Sequence, residues 1–332
     1  MRAVAITRPG APDVFEDIEL PDPEPGARDL LVEVRAVSVN PVDTKVRASG
    51  GGASPDEPRV LGFDAVGRVR AVGAEVALFA PGDEVYYAGT ITRPGTNAQL
   101  HVVDERIVGH KPATLTDAEA AALPLTSITA WEVLFDRLGV ERGGGGGKRL
   151  LIAGAGGGVG SILTQLAAQL TELEVIGTAS TPEGAARVRD LGADNVVDHS
   201  DLAAALEGIG PIDLIASLTG TTHNFPVLVE ALRPQGAIAV IDDPQTLDVV
   251  PLKGKSASLR WESMFTRSVY GTDDLIRQHE LLEEVSRLID EGILRTTLAR
   301  ELSPIDAATL AEAHRLVEAG GVRGKVVVAG WA

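Results

Sequence analysis

From Met1 to about Leu123, apolar residues come in short runs that alternate with polar ones. "AVAI" (Ala3–Ile6), "LLVEVRAVSV" (Leu30–Val39), "AVGRVRAVG" (Ala65–Gly73), "DEVYY" (Asp83–Tyr87) and "AQLHVV" (Ala98–Val103) have the β-branched content and period of strands. "PDPEPG", "SGGGASPDEP", "APGD" and "TRPG" separate them with turn residues, which predicts a compact, barrel-like β domain. The period changes after "LTDAEAAALPLTSITAWEVLFDRLGV". From Arg149 strands alternate with helices: "RLLIA", then apolar positions Ile162, Leu163, Leu166, Ala167 and Leu170 at helical spacing, then "LEVIGTA", then "PEGAARVRDLG". "NVVD", "IDLIASL" and "AIAVID" add strands, and this alternation predicts an α/β, doubly wound parallel sheet. The tail predicts helices near Leu275–Ile289 and Ile305–Glu318, a strand near Thr296–Arg300 and a closing strand "KVVVA".

Two glycine-rich stretches differ in context. "RLLIAGAGGGVGSILTQL" runs strand, turn, helix, so its backbone N–H groups can approach a pyrophosphate at a helix N-terminus. Ala155, Gly157 and Gly160 match an A-x-G-x-x-G fingerprint, with Gly158 and Val159 completing the turn. "RGGGGGK" (Arg142–Lys148) opens no helix and reads as a surface connector.

The end of the second strand of this region selects the nucleotide. An NAD site carries an acid there to bind the ribose hydroxyls, whereas this chain reads "GTASTPEG". Thr178, Ser180 and Thr181 offer hydroxyls to a 2′-phosphate, with Arg187 or Arg189 and His199 as candidate charges, although both arginines are equally compatible with a solvated helix face. The expected cofactor is NADP(H).

Composition narrows the chemistry. Cysteine is absent, which removes disulfides, thiolate metal sites and cysteine nucleophiles. The formal charge of −17 argues against nucleic acid, whose phosphates would be repelled overall. No apolar run has membrane-spanning length, and "MRAVAITRPG" is interrupted too early for a signal peptide, so no membrane association and a cytoplasmic location are expected. Tyr86, Tyr87 and Tyr270 lack a lysine four positions on, which excludes the Tyr-x-x-x-Lys pair of short-chain reductases. The six histidines show no ligand spacing, so no metal is expected. What remains is "SVNPVDTKVR": a polar turn and face, or Asn40, Asp43 and Lys45 at the mouth of the β domain.

"NPVD", "LGFDAVGRVRAVG", "PGDEV", "LPLTSITAWE", "GGVG" and "GKVVV" together resemble the medium-chain dehydrogenase/reductase superfamily, and within it the zinc-independent quinone oxidoreductase branch. The resemblance covers the whole chain. It implies a GroES-like catalytic domain built from 1–123 and 265–332, a Rossmann domain from 124–264, and a cofactor in the cleft between them. Zinc-containing relatives carry cysteine where this chain has Asn40 and a His-Glu pair where it has Phe63-Asp64.

By the same resemblance Asn40, Asp43 and Lys45 fall at the active site, and Thr126 and Thr129 near the nicotinamide ribose. Ile241 and Asp242 fall beside the nicotinamide, Lys325 within reach of the cofactor, and Trp261 and Phe265 on the substrate side. Asp43 is expected to be ionised and to orient its neighbours, with protons supplied by water. The implied activity is direct hydride transfer from NADPH to a quinone or conjugated carbonyl, in a homodimer. Zinc-free reduction of a simple aldehyde, and nucleotide binding with little catalysis, are the alternatives.

Overall fold

The computed structural model describes residues 1–332, which fall into two units: Met1–Ile128 with Phe265–Ala332, and Thr129–Met264. In the first unit, β1 (Arg2–Ile6) pairs antiparallel with β2 (Phe15–Glu19). The sequence pattern does not show β2, because "FEDIE" buries only its phenylalanine fully. β3 (Asp29–Val39) is buried at every second position and then continuously from Ala36. One end is therefore a surface strand and the other lies inside the core. Where a polar turn was one reading of "PVDTKVRAS", the chain forms the helix α1 (Pro41–Ser49), with Pro41 at its first position and Gly50 closing it at φ +81°. β4 (Arg59–Val60), β5 (Asp64–Val72), β6 (Glu84–Ala88), β7 (Leu100–Asp104) and β8 (Val108–His110) follow.

Two helices, α2 (Asp117–Ala121) and α3 (Pro124–Trp131), lead into the second unit, where Glu132–Arg137 continues as a π-helical segment. Arg137 donates to the buried Glu262 at 2.6 Å and so anchors that segment. Alternation then proceeds as β9 (Arg149–Ala153), α4 (Gly158–Leu170), β10 (Glu174–Thr178), α5 (Pro182–Asp190), β11 (Asn195–Val197) and α6 (Leu202–Glu207). After these come β12 (Ile212–Ser217), α7 (Thr221–Ala231), β13 (Leu232–Val240), α8 (Val250–Gly254) and β14 (Ser258–Trp261). All six strands are parallel, in the order β11-β10-β9-β12-β13-β14. Strand order reverses between β9 and β12, the switch point at which doubly wound sheets bind nucleotides. The run 142–148 is no loose connector: Gly143 donates to Leu170 O and Gly144 accepts from Glu172 N, which seals the end of α4.

The tail returns to the first unit as α9 (Thr266–Tyr270), α10 (Arg277–Asp290), β15 (Leu298–Leu302), α11 (Ala307–Ala319) and β16 (Lys325–Ala329). β15 begins two residues later than the sequence pattern suggests, since Thr296 and Thr297 turn their hydroxyls to the carbonyls of Glu119 and Ala122 instead. The main sheet runs β15-β16-β3-β5-β6-β8, with β7 also paired to β3. α1 is fastened to α11 by Arg47, which is buried, donates to Gly10 O at 3.0 Å and pairs with Glu318.

Candidate functional site

Three strand ends meet at one point of the first unit. β3 is antiparallel to both β5 and β16, so its C-terminal end faces the N-terminal ends of both. The register sets Ser38 opposite Asp64 and Val39 opposite Val326, which brings Lys325, the residue before Val326, to the same place. A one-residue slip of either strand would turn these side chains to the other face.

Asp64 is the hub of the cluster. Its Oδ2 accepts from Ser38 Oγ at 2.6 Å, Asn40 Nδ2 at 2.7 Å and Lys325 Nζ at 3.2 Å, while Oδ1 accepts from Leu125 N at 2.7 Å. The four donors match the lone-pair capacity of a carboxylate. Lys325 Nζ also donates to Val39 O at 3.1 Å and to Asn40 Oδ1. The Asn40 amide is thus held between an ammonium at its oxygen and a carboxylate at its nitrogen. Only this flip of the amide puts acceptor on donor at both ends. Asn40 is 1% exposed, its Nδ2 donates to Asp64 Oδ2, and its side chain also interacts with the Asp43 carboxyl, favouring the ionised form.

Asn40 is also the N-cap of α1, where its backbone N–H donates to Asp43 Oδ2 at 2.7 Å in a capping box. Asp43 Oδ1 is buried without a hydrogen-bond partner. Burial therefore pushes the Asp43 carboxyl up to about 7, against the lowering pull of the Asn40 N–H and of Lys325. The expectation of a permanently ionised Asp43 is corrected: near neutral pH this group gains and loses a proton. Lys45 stands apart on the exposed side of the same helix, whose inward residues are Asp43, Thr44 and Arg47.

In the second unit the glycine turn joins β9 to α4. Gly154 has φ +95°, open to glycine and strained for other residues. Gly157 is the N-cap of α4, and a Cβ on Gly156 would meet nothing within 4 Å. The backbone here lies bare, as an anion approaching the helix N-terminus requires. A Cβ on Gly160 would lie 2.2 Å from Gly154 O, so this glycine permits the close helix–strand approach. Ala155 is buried and its methyl packs toward Gly177.

Thr178, expected at the ribose, is buried with its Oγ1 accepting from Gly154 N at 3.0 Å, so it braces the turn. Thr181 caps α5 by accepting from Gly184 N at 3.1 Å, and Ser180 beside it is exposed. Arg187 is half-buried in the second turn of α5, and His199 is exposed just after β11. Asp242 accepts from Thr221 N at 2.9 Å and from Thr221 Oγ1, capping α7, while Ile241 N donates to Ser217 O.

Thr126 Oγ1 donates to Leu123 O at 3.1 Å, and Thr129 is buried. Phe265 meets Phe63 edge-to-face at 5.1 Å, a packing contact, whereas Trp261 is 54% exposed at the end of β14. Sequence reasoning placed Lys325 at the cofactor; the structure joins it to Asn40 and Asp64 within the first unit. In the sequence Asp64 is marked only as standing, with Phe63, where zinc-containing relatives carry a His-Glu pair, and Ser38 is assigned no role.

The chain matches the alcohol dehydrogenase GroES-like domain over residues 26–115 and the zinc-binding dehydrogenase model over 191–328. It is 38% identical to the zinc-type alcohol dehydrogenase-like protein of Staphylococcus aureus (strain COL), covering 95% of each chain. It belongs to the medium-chain dehydrogenase/reductase superfamily. A crystal structure of a candidate zinc-dependent alcohol dehydrogenase from Rhizobium etli CFN 42 shares 53% identity over 100% of this chain and 98% of that one, at a TM-score of 0.95. The quinone oxidoreductase of Coxiella burnetii shares 26% identity over 99% of each chain, at a TM-score of 0.82. As a medium-chain dehydrogenase/reductase this protein is an oxidoreductase with a nicotinamide cofactor, and its two units are a GroES-like domain and a Rossmann-like domain.

The zinc in the names of its relatives does not suit the residues present. No group of three or more histidine, cysteine or acidic side chains is placed to hold a metal ion. The Asn40–Asp64 pair already has an ammonium between its oxygens, and a divalent ion would have to displace that charge from a buried site.

Proposed function

We propose that this protein reduces quinones or conjugated carbonyl compounds with NADPH, without a metal. The observation that carries this reading is the Asn40 amide, buried and fixed at both ends beside the Asp43 carboxyl. When bound, the nicotinamide supplies a hydride to the substrate carbon. Negative charge then develops on the conjugated oxygen, and a prearranged N–H aimed at such an oxygen is typically worth about 3 kcal/mol of barrier. Asp43, with its carboxyl near neutrality, holds a proton that can complete the reduction.

The bare backbone at Gly156 and the N-terminus of α4 would hold the pyrophosphate. The lack of an acid in "GTASTPEG" and the exposed Ser180 and capping Thr181 suit a 2′-phosphate. Likeness to a quinone oxidoreductase supports the substrate class. Oxidation of an alcohol asks for removal of a hydroxyl proton as the hydride leaves, which a zinc ion eases as a Lewis acid. The donor set here does not supply that ion.

The test compares NADPH oxidation with a small quinone and a small enone against NADP⁺ reduction with a matched alcohol. Quinone or enone turnover should exceed alcohol turnover by at least a hundredfold, and faster alcohol turnover would overturn the reading. The reaction is expected in the cytoplasm, and a homodimer is the expected assembly.

A further inference from the structure

The three N–H bonds of the Lys325 ammonium are all taken by oxygens of the first unit: Val39 O, Asn40 Oδ1 and Asp64 Oδ2. The ammonium therefore has no donor left for a substrate, yet it sits in direct contact with the Asn40 amide. We propose that Lys325 is a tethered cation that stands in for a metal ion, a positioning residue that polarises the Asn40 amide toward a developing oxyanion. This inference rests on the reading of Asn40 as the oxyanion donor.

The chemistry follows from the two contacts. A positive charge on the amide oxygen draws electron density from the amide nitrogen and makes its N–H groups stronger donors. Hydrogen bonds to charged partners are roughly twice as strong as neutral ones and polarise their neighbours along a chain. Asp64 holds the ammonium in place and fixes the flip of the amide by accepting from Nδ2. Burial pulls Lys325 below the usual lysine range, and Asp64 and Asp43 oppose that pull. The lysine also comes from the first residue of β16, where its backbone N–H bonds Thr297 O at 2.9 Å, so its base is rigid. A flexible surface lysine would not hold such an alignment.

Two variants test this: Lys325→Met, which keeps the stem but leaves Asp64 unbalanced, and Lys325→Met with Asp64→Asn, which removes both charges and so restores neutrality. The paired change guards against a fold lost merely to an unbalanced carboxylate. Enone or quinone reduction is measured with NADPH affinity by nicotinamide fluorescence. The balanced variant should fold, bind NADPH within threefold of wild type, keep KM within threefold, and lose about a hundredfold in kcat.

A kcat within threefold of wild type in the folded balanced variant would overturn the proposal. A tenfold loss of NADPH affinity would overturn it as well, by placing the lysine at the cofactor. A second readout does not need turnover. With NADP⁺ saturating, wild type should bind 4-nitrophenol as its yellow phenolate, and the balanced variant should lose that preference for the anion at least tenfold. An unchanged preference counts against Lys325. A wild-type protein that reduces no conjugated carbonyl overturns the functional reading, while the phenolate comparison still decides the lysine's role.

Discussion

The Lys325 ammonium stands 3.2 Å from Asp64 Oδ2 across 261 positions of sequence, and both side chains are buried. Such a pair is worth little against an apolar replacement of both partners, but breaking it from one side leaves a charge in a poor solvent. Asp64→Ala strands the Lys325 ammonium, the Ser38 hydroxyl and the Leu125 N–H at once. The expected loss is about 3–5 kcal/mol of folding stability, read by urea denaturation. A loss below about 1 kcal/mol would show that the cluster does not hold the three strand ends together.

Asp43 makes stability fall as pH rises over a defined window. Its carboxyl lies at about 7 in the folded protein, raised by burial from the ordinary carboxylate range. Between about 4 and 7 the native state thus holds a proton that the unfolded chain has released, and stability drops with increasing pH. The neighbouring Lys325 and Asp64 are the charges that face it. His101 at about 4 and His314 at about 3, both lowered by burial, act in the opposite sense, since the unfolded chain binds their protons first as pH falls. Comparing wild type with Asp43→Asn at each pH cancels those shared contributions. The wild-type advantage should shrink by up to a few kcal/mol from pH 4 to 7 and then stay level. A pH-independent difference would mean that Asp43 does not titrate in this window.

The parts of this architecture with local causes were legible in the sequence. Alternation in Leu30–Val39 and the strand–glycine–helix order after Arg149 each follow from a few neighbouring residues. α1 was not legible as a helix, because Val42 and Val46 are its only large apolar residues and no stripe forms. Asn40 and Asp43 could be marked from "NPVD", but Asp64 and Lys325 could not be joined to them. Their meeting depends on the registers of β3 with β5 and of β3 with β16, which periodicity does not encode. Thr178 illustrates the same limit: its position after a strand is visible, whereas the choice of its hydroxyl to bond Gly154 N is set by the folded turn.

Two glycines of the turn separate packing from binding. A methyl on Gly160 would meet Gly154 O at 2.2 Å and Ala155 Cα at 2.6 Å, both backbone atoms that can yield only if α4 moves. Gly160→Ala should cost several kcal/mol, as overpacking does, and abolish nucleotide binding with it. Gly156→Ala meets no protein atom. If the turn holds the pyrophosphate as proposed, the variant should leave stability within about 1 kcal/mol and weaken NADPH binding at least tenfold, because the methyl would occupy the space proposed for that group. Thermal unfolding and nicotinamide fluorescence on the two variants distinguish the effects. Unaltered affinity in Gly156→Ala would remove this turn from the cofactor site.

Cofactor choice should rest on the segment between β10 and α5. Residues 177–184 contain no acid before Glu183, and Ser180 is exposed where β10 hands over to α5. Wild type should therefore bind NADPH at least tenfold tighter than NADH, a difference of about 1.4 kcal/mol, which one or two charge-assisted contacts to a 2′-phosphate can supply. Ser180→Asp would place a carboxylate near the position proposed for that phosphate. Two like charges at such range repel by about 1 kcal/mol or more even in a watery setting, so NADPH affinity should fall about tenfold or further. NADH should bind no worse, because a carboxylate can accept from the ribose hydroxyls. The fold should be indifferent to the change, since the side chain is exposed and an added negative charge suits the N-terminus of α5. Equal wild-type affinities for the two nucleotides would sink the assignment, and an unaltered preference in Ser180→Asp would move the phosphate away from Ser180.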